Sequence, residues 1–259
     1  ARGVNCTPEQ IIVGAGNDYL LMLLGMILGG EHKIALENPT YKQAYRLFKN
    51  LSYEVCTVDM DDKGMRVDEL RKSDADIAFV MPSHQYPLGI VMPIKRRMEL
   101  LKWAQEKEER FIIEDDYDSE FRYHGKPLPA LKSLDAPQRV IYAGTFSKAL
   151  FPALRCAWLV VPVKQIAQFR HQASLAPCAV PVLWQNTLAD FLREGHFWRH
   201  LKKMRQHYAQ RRQWIEQALT QQGFQVVPQK GGIQMVIRMI GDDIAHARKA
   251  KAAGLAVQA

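Results

Sequence analysis

The sequence has 259 residues, a mass of 29.6 kDa and a net charge of +8, from 35 basic and 27 acidic side chains. Apolar residues make up 47% and charged residues 24%, which is typical of a folded globular chain and excludes disordered, collagen-like and coiled-coil proteins. The longest apolar stretch, Tyr19 to Gly29, is too short to span a bilayer, and the N-terminal residues do not form a secretory signal. We therefore expect a cytoplasmic protein that does not contact a membrane.

The cysteines predict neither disulfides nor a metal site. They are Cys6, Cys56, Cys156 and Cys178, which lie far apart in the sequence. No two have CxxC spacing, and no histidine lies where it would complete a zinc site. We expect free thiols in a reducing compartment and no bound metal.

Seven short apolar or β-branched runs predict strands. In chain order they are IIV (11–13), KIALE (33–37), YEVCTVD (53–59), IAFVMP (77–82), FIIEDD (111–116), VIYAGTF (140–146) and CAWLVVP (156–162). Amphipathic stretches near 17–28, 41–50, 66–73 and 94–108 separate them and predict helices. Several runs are apolar almost throughout, as strands buried on both faces require. The alternation predicts an α/β fold, with a mostly parallel sheet and helices on both faces.

The pattern changes after the seventh strand. Helical spacing dominates 165–221, and FQVV (224–227) and GIQMVIRM (232–239) predict two more strands. We therefore predict a large domain over 1–195, followed over 196–259 by a connecting helix and part of a smaller C-terminal α+β domain.

A basic segment within the long helical stretch carries much of the excess charge. It contains Arg193, Arg199, Lys202, Lys203, Arg205, Arg211 and Arg212 against a single acid, Glu194. Apolar residues fall at helical spacing through the same segment: Leu201, Met204, Tyr208, Ile215 and Leu219. The basic residues are then expected on the opposite, solvated face. Because no zinc finger, RNP motif or helix-turn-helix is recognisable, DNA binding by this chain alone is disfavoured.

Three groups of residues follow predicted strands. The first is the turn 14–18 (GAGND), whose glycines and helix start suit a phosphate or carboxylate but are equally consistent with an empty tight turn. The second is the acidic run 114–118 (EDDYD), which is compatible with a ligand site, with Mg²⁺ ligands or with a solvated loop. The third is 144–148 (GTFSK) with Arg155 close behind, which would suit a phosphate, although by itself the motif is more typical of a surface lysine.

These three groups are more informative together than apart. The carboxyl ends of parallel strands meet at one edge of a sheet, so a lysine, a carboxylate and a glycine turn would converge there. A pyridoxal phosphate site needs this combination. It uses an amine for a Schiff base, a carboxylate for the ring nitrogen, and backbone, hydroxyl and guanidinium donors for the phosphate.

The sequence closely resembles fold-type I pyridoxal-phosphate enzymes of the aspartate aminotransferase superfamily, and within them the aminotransferase-like domain of MocR-type (GntR-superfamily) regulators. The resemblance is carried by ARGVNCTPEQIIVGAG (1–16), ENPTY (37–41), PSHQYPLG (82–89), IIEDDYDSEFRY (112–123), GTFSKALFPALR (144–155), MRQHYAQRR (204–212) and KGGIQ (230–234). It implies a homodimeric effector sensor that binds DNA only through a winged-helix domain upstream of Ala1.

The resemblance also implies roles for individual residues. Lys148 matches the Schiff-base lysine, Asp115 the partner of the ring nitrogen, and Tyr117 the phenol near the cofactor 3′ oxygen; these three would be catalytic. Tyr41 matches the aromatic residue that stacks on the ring. The phosphate would be bound by the turn residues Ala15, Gly16 and Asn17 and by the side chains of Thr145, Ser147 and Arg155.

Two departures from the family pattern affect the site. Where many aminotransferases read Asn-Pro-Thr-Gly, this chain reads Tyr86-Pro87-Leu88-Gly89, so the asparagine that bonds the 3′ oxygen is missing. His84 or Gln85 is the candidate substitute, and a purely structural role for the histidine stays open. The arginine that grips the substrate carboxylate is expected beyond Ala259, so Arg238 is not assigned that role.

Three functions are compatible with these features. The first is the effector-sensing and dimerisation domain of a transcription regulator, with an internal aldimine at Lys148 and an external aldimine formed by an amine or amino-acid effector. The second is part of a free-standing class I/II aminotransferase, and the third is a scaffold that dimerises without cofactor. Of this chain alone we expect weak or partial transaminase activity at most.

Overall fold

One sheet of eight strands organises the computed structural model, which describes residues 2–123, 125, 128–175 and 178–258. The strands are β1 Ile11–Gly14, β2 Lys33–Asn38, β3 Glu54–Asp61, β4 Gly64–Met65, β5 Ile77–Val80, β6 Phe111–Asp116, β7 Val140–Thr145 and β8 Ala157–Val160. Their order across the sheet is β1-β8-β7-β6-β5-β2-β3-β4. The helices are α1 Asn17–Leu28, α2 Lys42–Asn50, α3 Val67–Lys72, α4 Ile94–Gln105, α5 Ile166–Leu175, α6 Val182–Arg193, α7 His196–Gln221 and α8 Asp243–Ala252.

The centre of the sheet is parallel. β3, β2, β5, β6 and β7 run in one direction, β8 pairs antiparallel with both β7 and β1, and β4 forms a hairpin with β3. The parallel strands therefore end at a common edge, where Asp116 lies opposite Gly144 in the β6–β7 register. This edge is where the sequence places the acidic run and the GTFSK turn.

Side-chain alternation along the strands produces two cores. Ile77 and Phe79 of β5 pack on the side of α1, α2 and α5, whereas Ala78 and Val80 pack on the side of α3 and α4. Successive strand residues point to opposite faces, and both faces are covered by helices, so the strand is buried at every position. This arrangement confirms the predicted fold class.

The predicted elements agree with the structure except in detail. All seven predicted strands and the four predicted helices are present, whereas the short β4 has no counterpart among the predictions. The two C-terminal strands shorten to β9 Gln225–Val226 and β10 Ile237–Arg238, which pair antiparallel. The helical stretch is divided into α5, α6 and α7, and residues 176–177 within it lie outside the described residues. In the described part of the chain, no helix is both long and apolar enough to cross a membrane.

The 26-residue helix α7 lies against the sheet edge, and the chain that follows it returns to the same edge. Residues 229–234 form this segment, which we call the KGGIQ segment. It is held by the bridge between Arg122 and Gly231, by a Gly232 N–H to Phe121 O bond of 2.7 Å, and by Arg212 of α7, which donates to Gln234 O at 3.1 Å. The KGGIQ segment therefore becomes one wall of the site at this edge.

Candidate functional site

The candidate site lies where β6, β7 and the start of α1 meet. Asp115 is the next-to-last residue of β6, and Lys148 follows β7 by three residues. Asn17, the first residue of α1, donates from Nδ2 to Asp115 Oδ2 at 3.0 Å. The glycine turn and the acidic run, predicted separately from sequence, are therefore in direct contact.

Asp115 is a buried carboxylate with spare acceptor capacity. Its exposed fraction is 4%, and Oδ1 has no hydrogen-bond partner among the described residues. The pKa of Asp115 is raised to about 7, mainly by burial; the bond from Asn17 opposes this shift, and the charges of Asp116, Asp18 and Asp118 add to it. A cation or a protonated ring nitrogen at Oδ1 would supply the missing donor and favour the ionised form.

The neighbouring acids make hydrogen bonds of their own, away from Asp115. Glu114 accepts 2.8 Å bonds from the backbone N–H groups of Leu131 and Lys132. Asp116 accepts from Arg2 at 2.9 Å and from Tyr142 at 2.7 Å. Among residues 2–123, 125, 128–175 and 178–258, no group of three or more His, Cys, Asp or Glu side chains is arranged to hold a metal ion.

An anion pocket lies at the start of α1. Gly16 has φ +100°, and a Cβ built there would overlap the guanidinium of Arg155. Arg155 is exposed at its own left-handed position, φ +48°. Beside them, Thr145 Oγ1 accepts a 3.1 Å bond from Ser147 N–H and donates to Ser147 Oγ at 3.1 Å. A helix start, a guanidinium and two hydroxyls together suit a phosphate.

Lys148 presents its amine from a well-packed loop. The side chain is exposed, and Nζ makes no hydrogen bond or ion pair with any described residue. Beneath it, Phe146 packs on Trp158 with centroids 4.6 Å apart and edge-on against Phe197 of α7 at 5.6 Å. His200, one turn further along α7, contacts Ala149 O through Nε2 at 3.0 Å. The loop is therefore fixed while the amine is accessible.

Tyr41 lies beside the α1 turn, at the start of α2. Its hydroxyl donates to Asp18 Oδ1 at 3.1 Å, and its ring meets Tyr86 edge-on, with centroids 6.1 Å apart. Burial, and secondarily the Asp18 carboxylate, raises the pKa of the Tyr41 phenol well above its usual range. Asp18 thus orients the ring, a contact that the sequence analysis did not anticipate.

Tyr117 belongs to a chain of side-chain hydrogen bonds. Its oxygen lies 3.1 Å from His84 Nδ1, which lies 2.9 Å from Asp118 Oδ2, and Gln234 Nε2 donates to the phenol at 3.2 Å. The His84 ring is 3% exposed and lies over Gly232, where a Cβ would overlap it. Sequence reasoning missed Asp118 and Gln234. Only the acidic run and the KGGIQ motif pointed to their surroundings, and neither indicated the contact.

His84 and Gln85, the two candidate substitutes for the missing asparagine, lie differently with respect to the site. Gln85 is buried and uses its amide on backbone groups, donating to Pro39 O at 2.8 Å and accepting from Leu88 N–H at 3.0 Å. His84 reaches the site through Tyr117, so its direct contact with a cofactor stays a prediction. Arg238 is exposed on β10.

Comparisons with known proteins agree with this architecture. The family model for aminotransferase class I and II matches residues 1–257. The HTH-type transcriptional regulator YdeL of Bacillus subtilis is 40% identical over 219 residues, which cover 85% of this chain and 47% of that protein. The probable rhizopine catabolism regulatory protein MocR of Rhizobium meliloti is 39% identical over 212 residues, covering 82% and 43%. The chain thus spans about half the length of these relatives.

Solved structures extend the agreement to three dimensions. The kynurenine aminotransferase of Pyrococcus horikoshii, solved in complex with PMP (pyridoxamine phosphate), superposes with a TM-score of 0.85 at 28% identity, covering 95% of this chain and 64% of that one.

This chain belongs to the aminotransferase class I and II family. Its similarity to HTH-type regulators confirms the more particular resemblance, to the aminotransferase-like domain of MocR-type regulators.

Proposed function

We propose that this chain is the pyridoxal-phosphate-binding, effector-sensing domain of a MocR-type transcription regulator. The observation that carries the proposal is Asp115. A buried carboxylate with one unpartnered oxygen is costly unless a ligand supplies the donor. The protonated pyridine nitrogen of the cofactor is such a donor.

The other residues of the site fit the same group. Gly16, Thr145, Ser147 and Arg155 would hold the phosphate, with Ala15 and Asn17 completing the turn. Tyr41 would cover the ring, and Tyr117 would face the 3′ oxygen. When bound, pyridoxal phosphate supplies an aldehyde that forms a Schiff base with amines and a ring that accepts electron density.

Lys148 is the amine that would hold the cofactor covalently. Its exposed Nζ also lets another amine compete for the same carbon, so the effector we propose is a primary amine or amino acid. In the regulator, this exchange would alter how the domain contacts the rest of the protein. Binding to DNA would occur through a separate domain, and the functional unit would be a homodimer.

The test is cofactor binding with identification of the attachment site. Purified protein mixed with pyridoxal phosphate should develop a visible absorption band. Borohydride reduction should then leave a stable adduct on the peptide that contains Lys148, detected by mass spectrometry. Lys148→Ala should abolish both signals, while Lys164→Ala, at another exposed lysine, should leave them unchanged. An adduct that persists in Lys148→Ala would refute the assignment.

An aminotransferase is the second candidate, and the structural similarity to the Pyrococcus horikoshii kynurenine aminotransferase favours it. Single-turnover spectroscopy with a panel of amino acids separates the two functions. A sensor should change its spectrum on adding an amine without converting the cofactor to its pyridoxamine form. Rapid conversion, at the rate of an ordinary aminotransferase, would establish the enzyme instead.

A further inference from the structure

The hydrogen bonds around Tyr117 have a direction that can be worked out from their donors and acceptors. The phenol oxygen has two described partners, His84 Nδ1 at 3.1 Å and Gln234 Nε2 at 3.2 Å. A phenol can accept two hydrogen bonds and donate one. The direction of the phenol O–H therefore depends on whether His84 or Gln234 accepts its proton.

Asp118 decides the state of His84. A carboxylate only accepts, so the 2.9 Å contact between Asp118 Oδ2 and His84 Nδ1 requires a proton on Nδ1. The other ring nitrogen, Nε2, is buried with no hydrogen-bond partner among the described residues. A buried N–H without an acceptor is more costly than an unused lone pair, so Nε2 carries no proton. This single N–H is directed at Asp118, so Nδ1 has no lone pair with which His84 could accept the phenol proton.

Gln234 supplies a hydrogen-bond donor to the same oxygen. Its amide comes from the KGGIQ segment, which can approach because Gly232, at φ +82°, leaves room for the His84 ring. Burial raises the pKa of the Tyr117 phenol far above its usual range, and Asp118, Asp115, Tyr86 and Glu37 reinforce the shift. The phenol therefore keeps its proton, and neither described partner accepts it.

We infer that Asp118, His84 and Gln234 are positioning residues that orient Tyr117 as a hydrogen-bond donor toward the ligand. Gln234 donates to the phenol oxygen and His84 cannot accept from it, so the phenol O–H is left to donate to a ligand in the site. The direction itself follows from the ligand-free structure. Its consequence for a bound cofactor, a hydrogen bond to the 3′ oxygen, rests on the proposed function.

The first test needs no ligand. Two-dimensional ¹H–¹⁵N NMR of the ligand-free protein reports which histidine nitrogen is protonated, and His84→Gln identifies the signal. The wild type should show protonated Nδ1 and unprotonated Nε2. In Asp118→Leu, which keeps volume but removes the acceptor at Nδ1, the fraction of His84 protonated at Nδ1 should fall. A wild-type His84 protonated at Nε2 alone would overturn the inference.

The second test uses the protein loaded with pyridoxal phosphate and reverses the Gln234 contact. In Gln234→Glu, a carboxylate takes the place of the amide donor and accepts the phenol proton. The 3′ oxygen then loses a donor, and its negative charge is less stabilised. The pH at which the visible band changes form should rise by about one unit, the equivalent of one hydrogen bond.

Gln229→Glu is the matched control. Gln229 lies on the same segment and donates to Leu88 O at 3.4 Å, without contact to Tyr117, so its transition should stay at the wild-type pH. If the visible band changes form at the same pH in Gln234→Glu and in wild type, the role of Gln234 is refuted. If the tautomer is as expected but no visible band forms, the proposed function fails and the inferred direction stands. A visible band at Lys148 with the opposite tautomer would support the proposed function and overturn the inferred direction.

Discussion

Asp115 lowers the stability of the ligand-free protein but favours the binding of a ligand that supplies a hydrogen-bond donor. It is buried, receives one amide hydrogen bond, and lies among other acids, so its ionised form is disfavoured until a donor arrives. The same features make it a strong partner for a protonated ring nitrogen. A charge-assisted bond of this kind contributes about 1.5 to 3 kcal/mol.

We predict that Asp115 makes the ligand-free protein less stable as pH rises. Its pKa is raised from 3.8 to about 7 on folding, so between these values the folded state holds a proton that the unfolded state has lost. The stabilisation is complete below the unfolded pKa and disappears as pH rises through the folded one. Asp115→Asn, which cannot ionise, should therefore gain about 1 to 3 kcal/mol relative to wild type between pH 5 and 8.

Thermal unfolding of both proteins across this pH range measures the difference. Glu37 and Glu114 are also buried with raised pKa values, but they are common to both proteins and cancel in the comparison. The same substitution should weaken pyridoxal phosphate binding roughly tenfold to a hundredfold. A constant difference in stability from pH 5 to 8 would show that Asp115 does not carry the pH dependence.

At the scale of elements, helix α1 is bounded by two glycines in the same unusual backbone region. Gly16 precedes it with φ +100° and ψ 168°, and Gly29 follows it with φ +86° and ψ 153°. Side chains are strained in this region by about 1 to 3 kcal/mol. A Cβ at Gly16 would meet the Arg155 guanidinium, whereas a Cβ at Gly29 has no atom within 4 Å. A substitution at Gly29 therefore tests backbone strain alone, whereas a substitution at Gly16 adds displacement of Arg155 from the anion pocket.

We predict that Gly16→Ala and Gly29→Ala both lower stability, but that only Gly16→Ala impairs phosphate binding. Displacing Arg155 removes a charge-assisted contact, so pyridoxal phosphate affinity should fall at least tenfold in Gly16→Ala. Chemical denaturation and an absorbance titration measure the two effects separately. Equal affinities in the two variants would mean that the turn at Gly16 does not form the phosphate site.

The elements also show what sequence could reveal and what it could not. Buried parallel strands have a clear signature, so the residues following β6 and β7 could be placed at one edge, and Asp115 and Lys148 with them. The contacts of Asp118 and Gln234 could not be predicted, because that of Asp118 depends on where the loop after β5 places His84 and that of Gln234 on how the KGGIQ segment returns to the sheet after α7. Hydrogen bonds such as that from Arg212 to Gln234 O fix this return, and they leave no periodic pattern.

For the molecule as a whole, α7 connects the two sides of the site. Phe197, near its start, packs under the Lys148 loop, and Arg212, near its end, holds the KGGIQ segment. The stripe predicted along this helix is present, with Leu201 buried and basic residues such as Lys202 exposed, although Ile215 is exposed as well. Arg212, expected on the solvated face, is instead half-buried, because its guanidinium binds the KGGIQ segment. The division at 195 and 196, where α7 begins, stays a prediction.

The exposed apolar surface of α6 bears on assembly. Leu188 of this helix packs into a core cluster beside Val13 and Ala15, close to the α1 turn. Its first turn leaves Val182, Leu183 and Trp184 exposed by 69%, 74% and 50%. Three consecutive exposed apolar side chains are typical of a surface that another chain covers.

We predict that the chain forms a homodimer through this surface and that Leu183→Glu dissociates it. A carboxylate buried in an apolar interface loses hydration without gaining a partner, which costs several kcal/mol and outweighs most of what one apolar contact contributes. Light scattering after size exclusion should give twice the 29.6 kDa chain mass for wild type and the single chain mass for Leu183→Glu. Val163→Glu, at another exposed apolar residue outside α6, is the matched control and should leave the dimer intact. A dimer that withstands Leu183→Glu would place the interface elsewhere, and a monomeric wild type would contradict the homodimer itself.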